Sequence, residues 1–259
     1  MRQTEHSETR QWLDQHGLTD TDSTPLLATR LAVRRRAKFA GDVLLAAFLI
    51  GAALTHAAVR VTDAAYSWLP LLVLTALVIG MLVAQWLLRD WVRRVDRRAG
   101  AQLSRRVAHP VGFGWPAVLG RPYAVFTVAA YTAALGLAVS VLPVSDPVLR
   151  AGAAVVLIGL VGAGAGMIMQ LRQVLTSPAV AEDEASLTAD VIMRVEDARA
   201  LVTPSLVWSL PVIFLYGESL GWWNAVAIGL VLAGVVAFGL VQTRTRAVGV
   251  TARQAMIVR

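Results

Sequence analysis

The feature that most constrains the fold of this chain is the grouping of its apolar residues into blocks of about twenty. A helix of about 20 apolar residues spans the hydrocarbon core of a bilayer, and it satisfies its own backbone hydrogen bonds there. Hydrophobic residues make up 56% of the chain and charged residues only 16%. The sequence therefore predicts an all-α polytopic transmembrane helix bundle, and it excludes a soluble globular domain, a disordered chain and a coiled coil.

We predict six spans within a membrane domain at residues 39–243, namely 39–59, 66–88, 123–142, 148–171, 201–220 and 223–241. The fifth is the least apolar of the six, because it contains Pro204, Pro211 and Glu218. Neighbouring helices in a membrane bundle can bind the carbonyl groups that a proline leaves without a partner. Short connections follow the first, third and fifth spans, so the layout is three helical hairpins.

The remaining segments are polar, and they are residues 1–38, the connections 89–122 and 172–200, and the tail 244–259. These segments carry 22 of the 24 basic residues, and only Arg60 and Arg150 fall on the opposite side. Cytoplasmic segments of membrane proteins are enriched in Lys and Arg. This bias predicts that both ends of the chain are cytoplasmic, and it favours six spans over five because five would place the tail arginines outside.

The first 38 residues are too long for the n-region of a secretory signal, and the apolar stretch that follows is long enough to span a membrane. We predict a short helix there from Ser7 to His16, with Ser7 as the N-cap and Gly17 as the terminating residue. The excess of Arg over Lys and of Ala, Val and Gly over Asn indicates a GC-rich gene. We therefore expect a bacterial cytoplasmic (plasma) membrane protein.

Patterns typical of catalysis or of metal and cofactor binding are not found in the sequence. The chain has no cysteine, its four histidines lack metal-ligand spacing, and no GxSxG motif occurs. We therefore expect no enzymatic activity, no cofactor and no metal. The sequence pI is about 10.9, but the arginines lie beside apolar spans, which indicates anionic lipid headgroups and not nucleic acid.

Small residues recur on one face of the fourth and sixth spans. In the fourth span, Gly152, Gly159 and Gly166 are spaced by seven residues, and Gly162 forms a GxxxG pair with Gly166. In the sixth, Gly229 belongs to a run of small residues spaced by four. Such faces let helix backbones approach closely in lipid. They predict either packing within this bundle or a homo-oligomer interface.

Ionisable residues within the spans are few, and they lie near the span ends. Asp42, His56 and Glu218 fall within one or two turns of an end, where headgroup water is close. His56 and Glu218 both lie toward the outer side, where they can form one pair. An ion-coupled transporter would place more such groups near the midplane.

Two of the polar connections have helical patterns. The first, from Trp91 to Val107, interleaves apolar positions with the arginines Arg93, Arg94, Arg97, Arg98, Arg105 and Arg106. The second has an apolar stripe at Val191, Val195, Ala198 and Val202, with an acidic flank. We expect the arginines to contact anionic headgroups, the acidic-flanked helix or a cytoplasmic partner.

The stretch that begins at Ser177 reads SPAVAEDEASLTADVIMRVEDARALVTP and precedes a proline-containing span. It resembles uncharacterised polytopic integral membrane proteins of high-GC Gram-positive bacteria, over roughly the second half of the chain. The resemblance implies no catalytic or binding residue.

The function we expect is that of a non-enzymatic scaffold or accessory subunit of a membrane complex. The alternative is a permease-like transmembrane subunit of an ABC-type transporter, whose cytoplasmic helices couple to an ATPase supplied by another chain. A membrane enzyme acting on lipid has the least support. The scarcity of polar residues near the midplane favours the scaffold over the permease.

Overall fold

The structure is a computed structural model that describes residues 3–19, 24–62, 68–102, 115–177, 184–203, 207, 209–211, 213, 221–245 and 247–257. Within these ranges the chain forms eight helices and no strand. The helices are α1 (Gln3–Gln15), α2 (Pro25–Thr62), α3 (Leu69–Gln102), α4 (Trp115–Val141), α5 (Pro147–Thr176), α6 (Glu184–Val202), α7 (Gly221–Arg244) and α8 (Val248–Ile257). The prediction of an all-helical fold is confirmed.

Five of the described helices are long and apolar enough to cross a membrane. The segments concerned are Pro25–Val59, Leu69–Ala101, Val118–Val141, Leu149–Thr176 and Trp222–Arg244. They contain or overlap the first, second, third, fourth and sixth predicted spans. The fifth predicted span, 201–220, falls largely outside the described residues. The helices are those that an integral membrane protein requires.

Two of the helices extend well beyond the spans predicted from hydropathy. Helix α2 has 38 residues and begins at Pro25, and α3 has 34 residues and continues to Gln102. At 1.5 Å per residue, 34 residues measure about 51 Å, against about 30 Å for the hydrocarbon core. The change from apolar to charged residues near positions 38 and 88 therefore does not end either helix.

The membrane-spanning helices share one apolar core. Its fully buried side chains include Leu74 and Val78 of α3, Ala134 of α4 and Val156 of α5. Helix α2 packs along α3, and α3 in turn packs on α5. Large apolar side chains are exposed on the outside, among them Ile50, Leu54, Val125, Val161, Ile168, Leu232 and Val236. In water such an exposed apolar surface would be costly, and lipid is the medium that suits it.

A second core lies at one end of the bundle and is built around α6. The predicted stripe on α6 is buried there, with Val191 and Val195 each 1% exposed. Trp12 of α1 and Ala252 of α8 pack against the same core. We call α1, α6 and α8 the three-helix layer. The layer joins the beginning, the middle and the end of the chain.

The ends of the helices follow from local residues. Helix α1 stops before Gly17, whose φ of 69° is the left-handed conformation that glycine adopts most easily. The predicted terminating residue is thus confirmed. The predicted N-cap is wrong, because α1 already begins at Gln3 and Ser7 lies inside it. Helix α4 is kinked at Gly120, which has φ 73° and precedes Pro122 by two residues.

Candidate functional site

A network of buried ion pairs joins α2, α3 and α6. Arg30 of α2 donates from Nε to Asp96 Oδ1 of α3 at 2.7 Å, and from Nη2 to Asp190 Oδ1 of α6 at 2.5 Å. Asp190 is 1% exposed, and its Oδ2 also accepts from Arg194 Nε at 2.8 Å. Charges removed from water in this way are tolerated only when they are paired and hydrogen-bonded.

Arg34 repeats the arrangement one helical turn later. Its Nη2 lies 2.6 Å from Asp96 Oδ2 and 2.9 Å from Asp197 Oδ2. Asp96 therefore accepts from both arginines and links them. Breaking such a pair by removing one partner costs about 3–5 kcal/mol, because the other charge stays buried. The network fixes α6 to the α2–α3 hairpin through side chains.

Helix α1 is attached to α6 by a polar contact at Glu196. His16 Nε2 lies 3.3 Å from Glu196 Oε1, and His16 Nδ1 lies 2.8 Å from the carbonyl oxygen of Trp12. Trp12 Nε1 donates to the same carboxylate at 3.4 Å. Both partners of the imidazole are acceptors, so both contacts are hydrogen bonds only when the ring is doubly protonated. Burial of the ring opposes the charge, but the Glu196 hydrogen bond, the Trp12 carbonyl and the Glu196 charge outweigh it and raise the pKa of His16 above 6.5.

Helix α8 is attached to α6 and α1 at the other side of the layer. Arg199 Nη2 donates to Thr251 Oγ1 at 2.9 Å, and its guanidinium lies 5.5 Å from the centre of the Tyr123 ring. A Cβ on Gly249 would lie 3.2 Å from the carbonyl oxygen of His16. This close approach places the described ends of the chain against each other.

A cleft of about 1640 Å³ opens between the α2–α3 hairpin and helices α5 and α6. The ion-pair network lies in its wall. Its apolar lining includes Leu45, Trp86 and Met169, and its polar lining includes Gln170 and Gln173 of α5. The cleft thus runs from apolar to strongly charged surroundings.

One face of α3 lines this cleft with a ladder of polar side chains at four-residue spacing, which consists of Gln85, Arg89, Arg93 and Arg97. Arg89 Nη1 donates to the buried Gln170 Oε1 at 2.5 Å. Among the described residues, no carboxylate oxygen lies within 4 Å of the Arg89 guanidinium. We call these four residues the α3 ladder.

The predicted basic stretch is a continuation of α3, and its described arginines differ in exposure. Arg94 lies 2.7 Å from Asp90 and is 54% exposed, whereas the side chain of Arg93 is 26% exposed. Arg98 is exposed, and Arg105 and Arg106 lie outside the described residues. Lipid or partner contact by this stretch stays a prediction.

One contact that we expect for the basic stretch is docking on the acidic-flanked helix, and the described arginines of the stretch form their ion pairs elsewhere. Arg94 and Arg97 face Asp90 of their own helix. Asp190 and Asp197 of α6 are paired with arginines of α2 and, for Asp190, with Arg194 of α6 itself, and Glu196 is paired with His16. Within the flank, Asp190 and Arg194 are buried, whereas the side chain of Glu196 is 34% exposed. The partners of the two aspartates on neighbouring helices are thus Arg30 and Arg34 of α2.

The predicted small-residue positions fall into two groups. A Cβ on Gly159 would lie 3.0 Å from Leu210 and 3.1 Å from Val78, and one on Gly162 would lie 2.7 Å from Leu82. A Cβ on Gly152 would lie 4.0 Å from Ile213, whereas one on Gly166 or Gly229 would meet no packing neighbour within 4 Å in the described part of the chain. The first three face other parts of this chain. A homo-oligomer contact at the last two stays a prediction.

The sequence patterns missed the ion-pair network and the α3 ladder. The spacing of Asp190 and Arg194 (four residues), and that of Arg30 and Arg34, was visible in the sequence and indicates a shared helix face. Nothing in the spacing tells which helix that face meets. The predicted pair of His56 and Glu218 stays a prediction, because Glu218 lies outside the described residues.

No protein-family model matches this chain, and neither a curated protein nor a solved structure shows significant similarity to it. Within the described ranges, no three His, Asp or Glu side chains lie close enough to hold a metal ion. The three-helix layer, the ion-pair network and the cleft are the features of the described residues that bear on function.

Proposed function

We propose that this protein is a non-enzymatic scaffold or accessory subunit of a complex in the bacterial cytoplasmic membrane. It crosses the membrane six times and keeps both ends of the chain in the cytoplasm. The observation that carries the proposal is the three-helix layer. Helices α1, α6 and α8 come from distant parts of the chain, yet they share one core at one end of the bundle. A layer so fixed is suited to hold a partner at the membrane surface.

Six crossings are supported by the contacts of the chain ends. Helices α1 and α8 both pack on α6, so the number of crossings between them is even. Five described helices can span, which leaves one crossing for the segment 201–220. Leu210 lies beside Gly159 and Ile213 beside Gly152, so these residues run antiparallel to α5. That direction is the one a return crossing needs.

The cytoplasmic orientation is supported by charge. The extensions of α2 and α3 beyond the apolar stretches carry a dense group of arginines, and they lie at the same end as the layer. Basic residues next to spans favour the cytoplasmic side.

The outward face of α1 supports a role in assembly. Arg10, Gln11, Asp14 and Gln15 are exposed, whereas Leu13 on the opposite face is 2% exposed. Polar faces of mixed charge that are rigidly mounted provide specificity and register for a partner more than raw affinity.

A permease-like subunit that uses a separate ATPase is the second candidate, and the cleft favours it. The α2–α3 hairpin reaches α6 through the side chains of Arg30 and Arg34. Rearrangement of these pairs would let the cleft widen or close at the end where an ATPase would bind.

Co-purification from native membranes tests both candidates. The tagged full-length chain, extracted in mild detergent, should bring down a partner in a fixed ratio. Asp14→Arg, on the exposed face of α1, should lower that recovery several-fold. Ser145→Arg, in the exposed turn at the opposite end, should leave it unchanged. If the partner is an ATPase, the permease-like function is favoured over the scaffold. If the protein is recovered as a monomer with no partner, both candidates are wrong.

A further inference from the structure

The α3 ladder contains a cation, Arg89, that has no carboxylate within 4 Å among the described residues. Arg89 is bound by the neutral side chain of Gln170 at 2.5 Å. The nearby carboxylates Asp96 and Asp197 are taken by Arg30 and Arg34. A partly buried guanidinium with a neutral partner still has N–H donors and a positive charge to satisfy.

The next residue of the ladder adds to this surplus. Arg93 lies one turn after Arg89 on the same face, and its Nε is buried with no hydrogen-bond partner in the described part of the chain. Asp90 lies 3.9 Å from Arg93, but it is closer to Arg94, at 2.7 Å, and it also faces Arg97. One carboxylate therefore serves three guanidinium groups, and the cleft beside Arg89 and Arg93 has a net positive charge.

The apolar lining of the cleft indicates what kind of anion fits. Trp86 and Met169 line the same cleft and are half-exposed on the outer surface of the bundle, and Leu45 lines it as well. A ligand with a phosphate group and hydrocarbon chains would match both parts. Guanidinium groups bind phosphate oxygens through paired, charge-assisted hydrogen bonds.

We propose that Arg89 and Arg93 bind a phosphate group in this cleft, and that its source is the headgroup of an anionic phospholipid whose chains lie along the apolar lining. The phosphate oxygens accept hydrogen bonds from both guanidinium groups. The site does not depend on the scaffold function, because it requires no protein partner.

Calorimetric titration of the full-length protein in a neutral detergent tests the site. The probes are dioctanoyl phosphatidylglycerol and, in a separate arm, inorganic phosphate. Arg89→Gln should weaken binding of the lipid at least about tenfold, since hydrogen bonds to charged groups are strong. Arg10→Gln is the matched control, because it removes the same charge from an exposed position outside the cleft and outside the basic stretch, and it should leave the affinity unchanged.

A second variant keeps the test decisive if Arg89→Gln does not fold. Gln170→Glu places a carboxylate against Arg89, so it should abolish phosphate binding while the melting temperature stays the same or rises. If the protein binds the lipid but not inorganic phosphate, the bound phosphate group is that of a lipid headgroup, as proposed. If it binds both equally well, the ligand is a soluble phosphate compound and the lipid part of the proposal is wrong. The proposal is overturned if the wild type binds neither probe, or if Gln170→Glu binds them as the wild type does.

Discussion

At Gly159 of α5 an added side chain would have little room, because its neighbours are themselves buried. Its neighbours are Leu210 and Val78, both at most 1% exposed, so neither can move aside. Overpacking of a tight core costs about 1–3 kcal/mol, and in lipid the loss of close helix contact adds to this. We therefore expect Gly159→Leu to lower the melting temperature in detergent clearly.

Gly229 provides the matched control for this substitution. It also lies in one of the long apolar helices, but a Cβ there would meet no atom of another described element within 4 Å. Gly229→Leu should leave melting nearly unchanged. Equal melting of both variants and the wild type would contradict the contact between α5, α3 and the segment around Leu210.

Residue patterns predicted this packing face in part, but they could not predict the ion-pair network. A seven-residue repeat identifies one face of α5, which is information held within a single helix. The pairing of Arg30 with Asp190 joins residues 160 positions apart, and it depends on how three helices meet. Buried carboxylates and solvated ones have the same sequence pattern, so the burial of Asp190 could not be read from the sequence.

At the scale of elements, the attachment of α1 should depend on pH through His16. The folded-state pKa is raised above 6.5 by the contacts with Glu196 and Trp12, which outweigh burial. The contact therefore stabilises the protein fully below about pH 6.5, and this contribution is lost as the pH rises through the folded-state pKa. Glu196 is 34% exposed, so we expect only about 0.5–1 kcal/mol.

Melting of the wild type and of His16→Gln between pH 5.5 and 8.5 measures this contribution. The difference between the two proteins should be largest at the acidic end and should shrink toward pH 8.5. His6→Gln is the control, because His6 is exposed on the same helix. A difference that grows with pH would show that His16 is neutral in the folded protein.

The existence of the helices could be predicted from the sequence, but the ends of the longest ones could not. Hydropathy predicts where an apolar stretch ends. In α2 and α3 that end lies inside a continuous helix. The extensions keep their helical form because their polar faces are paired, as Arg34 and Asp96 are. The lengths of α2 and α3 thus depend on contacts with other helices. The sequence pattern of one helix does not reveal those contacts.

At the scale of the whole molecule, the bundle has two cores with different physical origins. The core among the spans is apolar, and its outer surface is apolar too, as lipid requires. The core of the three-helix layer is apolar in the middle but is surrounded by ion pairs and hydrogen bonds. Composition predicted the first core. The second depends on contacts between the two ends of the chain, which no local pattern reveals.

Those contacts lead to a prediction about topology that cysteine labelling can check, since the chain has no cysteine of its own. Ser7 of α1 and Ala247, which precedes α8, are exposed at the end of the three-helix layer, and Ser145 is exposed in the turn between α4 and α5. With six crossings, Ser145→Cys should react with a membrane-impermeant maleimide in intact cells. Ser7→Cys and Ala247→Cys should react only after permeabilisation, and the unsubstituted chain should never react.

Labelling of Ser7→Cys and Ala247→Cys from opposite sides would require an odd number of crossings. It would also separate α1 from α8 by the thickness of the membrane, although Gly249 of α8 lies against the carbonyl oxygen of His16 next to α1. Such a result would therefore contradict both the six crossings and the three-helix layer. Labelling of Ser7→Cys and Ala247→Cys in intact cells, with Ser145→Cys protected, would keep the layer and reverse its orientation, because the contact requires only an even number of crossings and the orientation is set by the arginines.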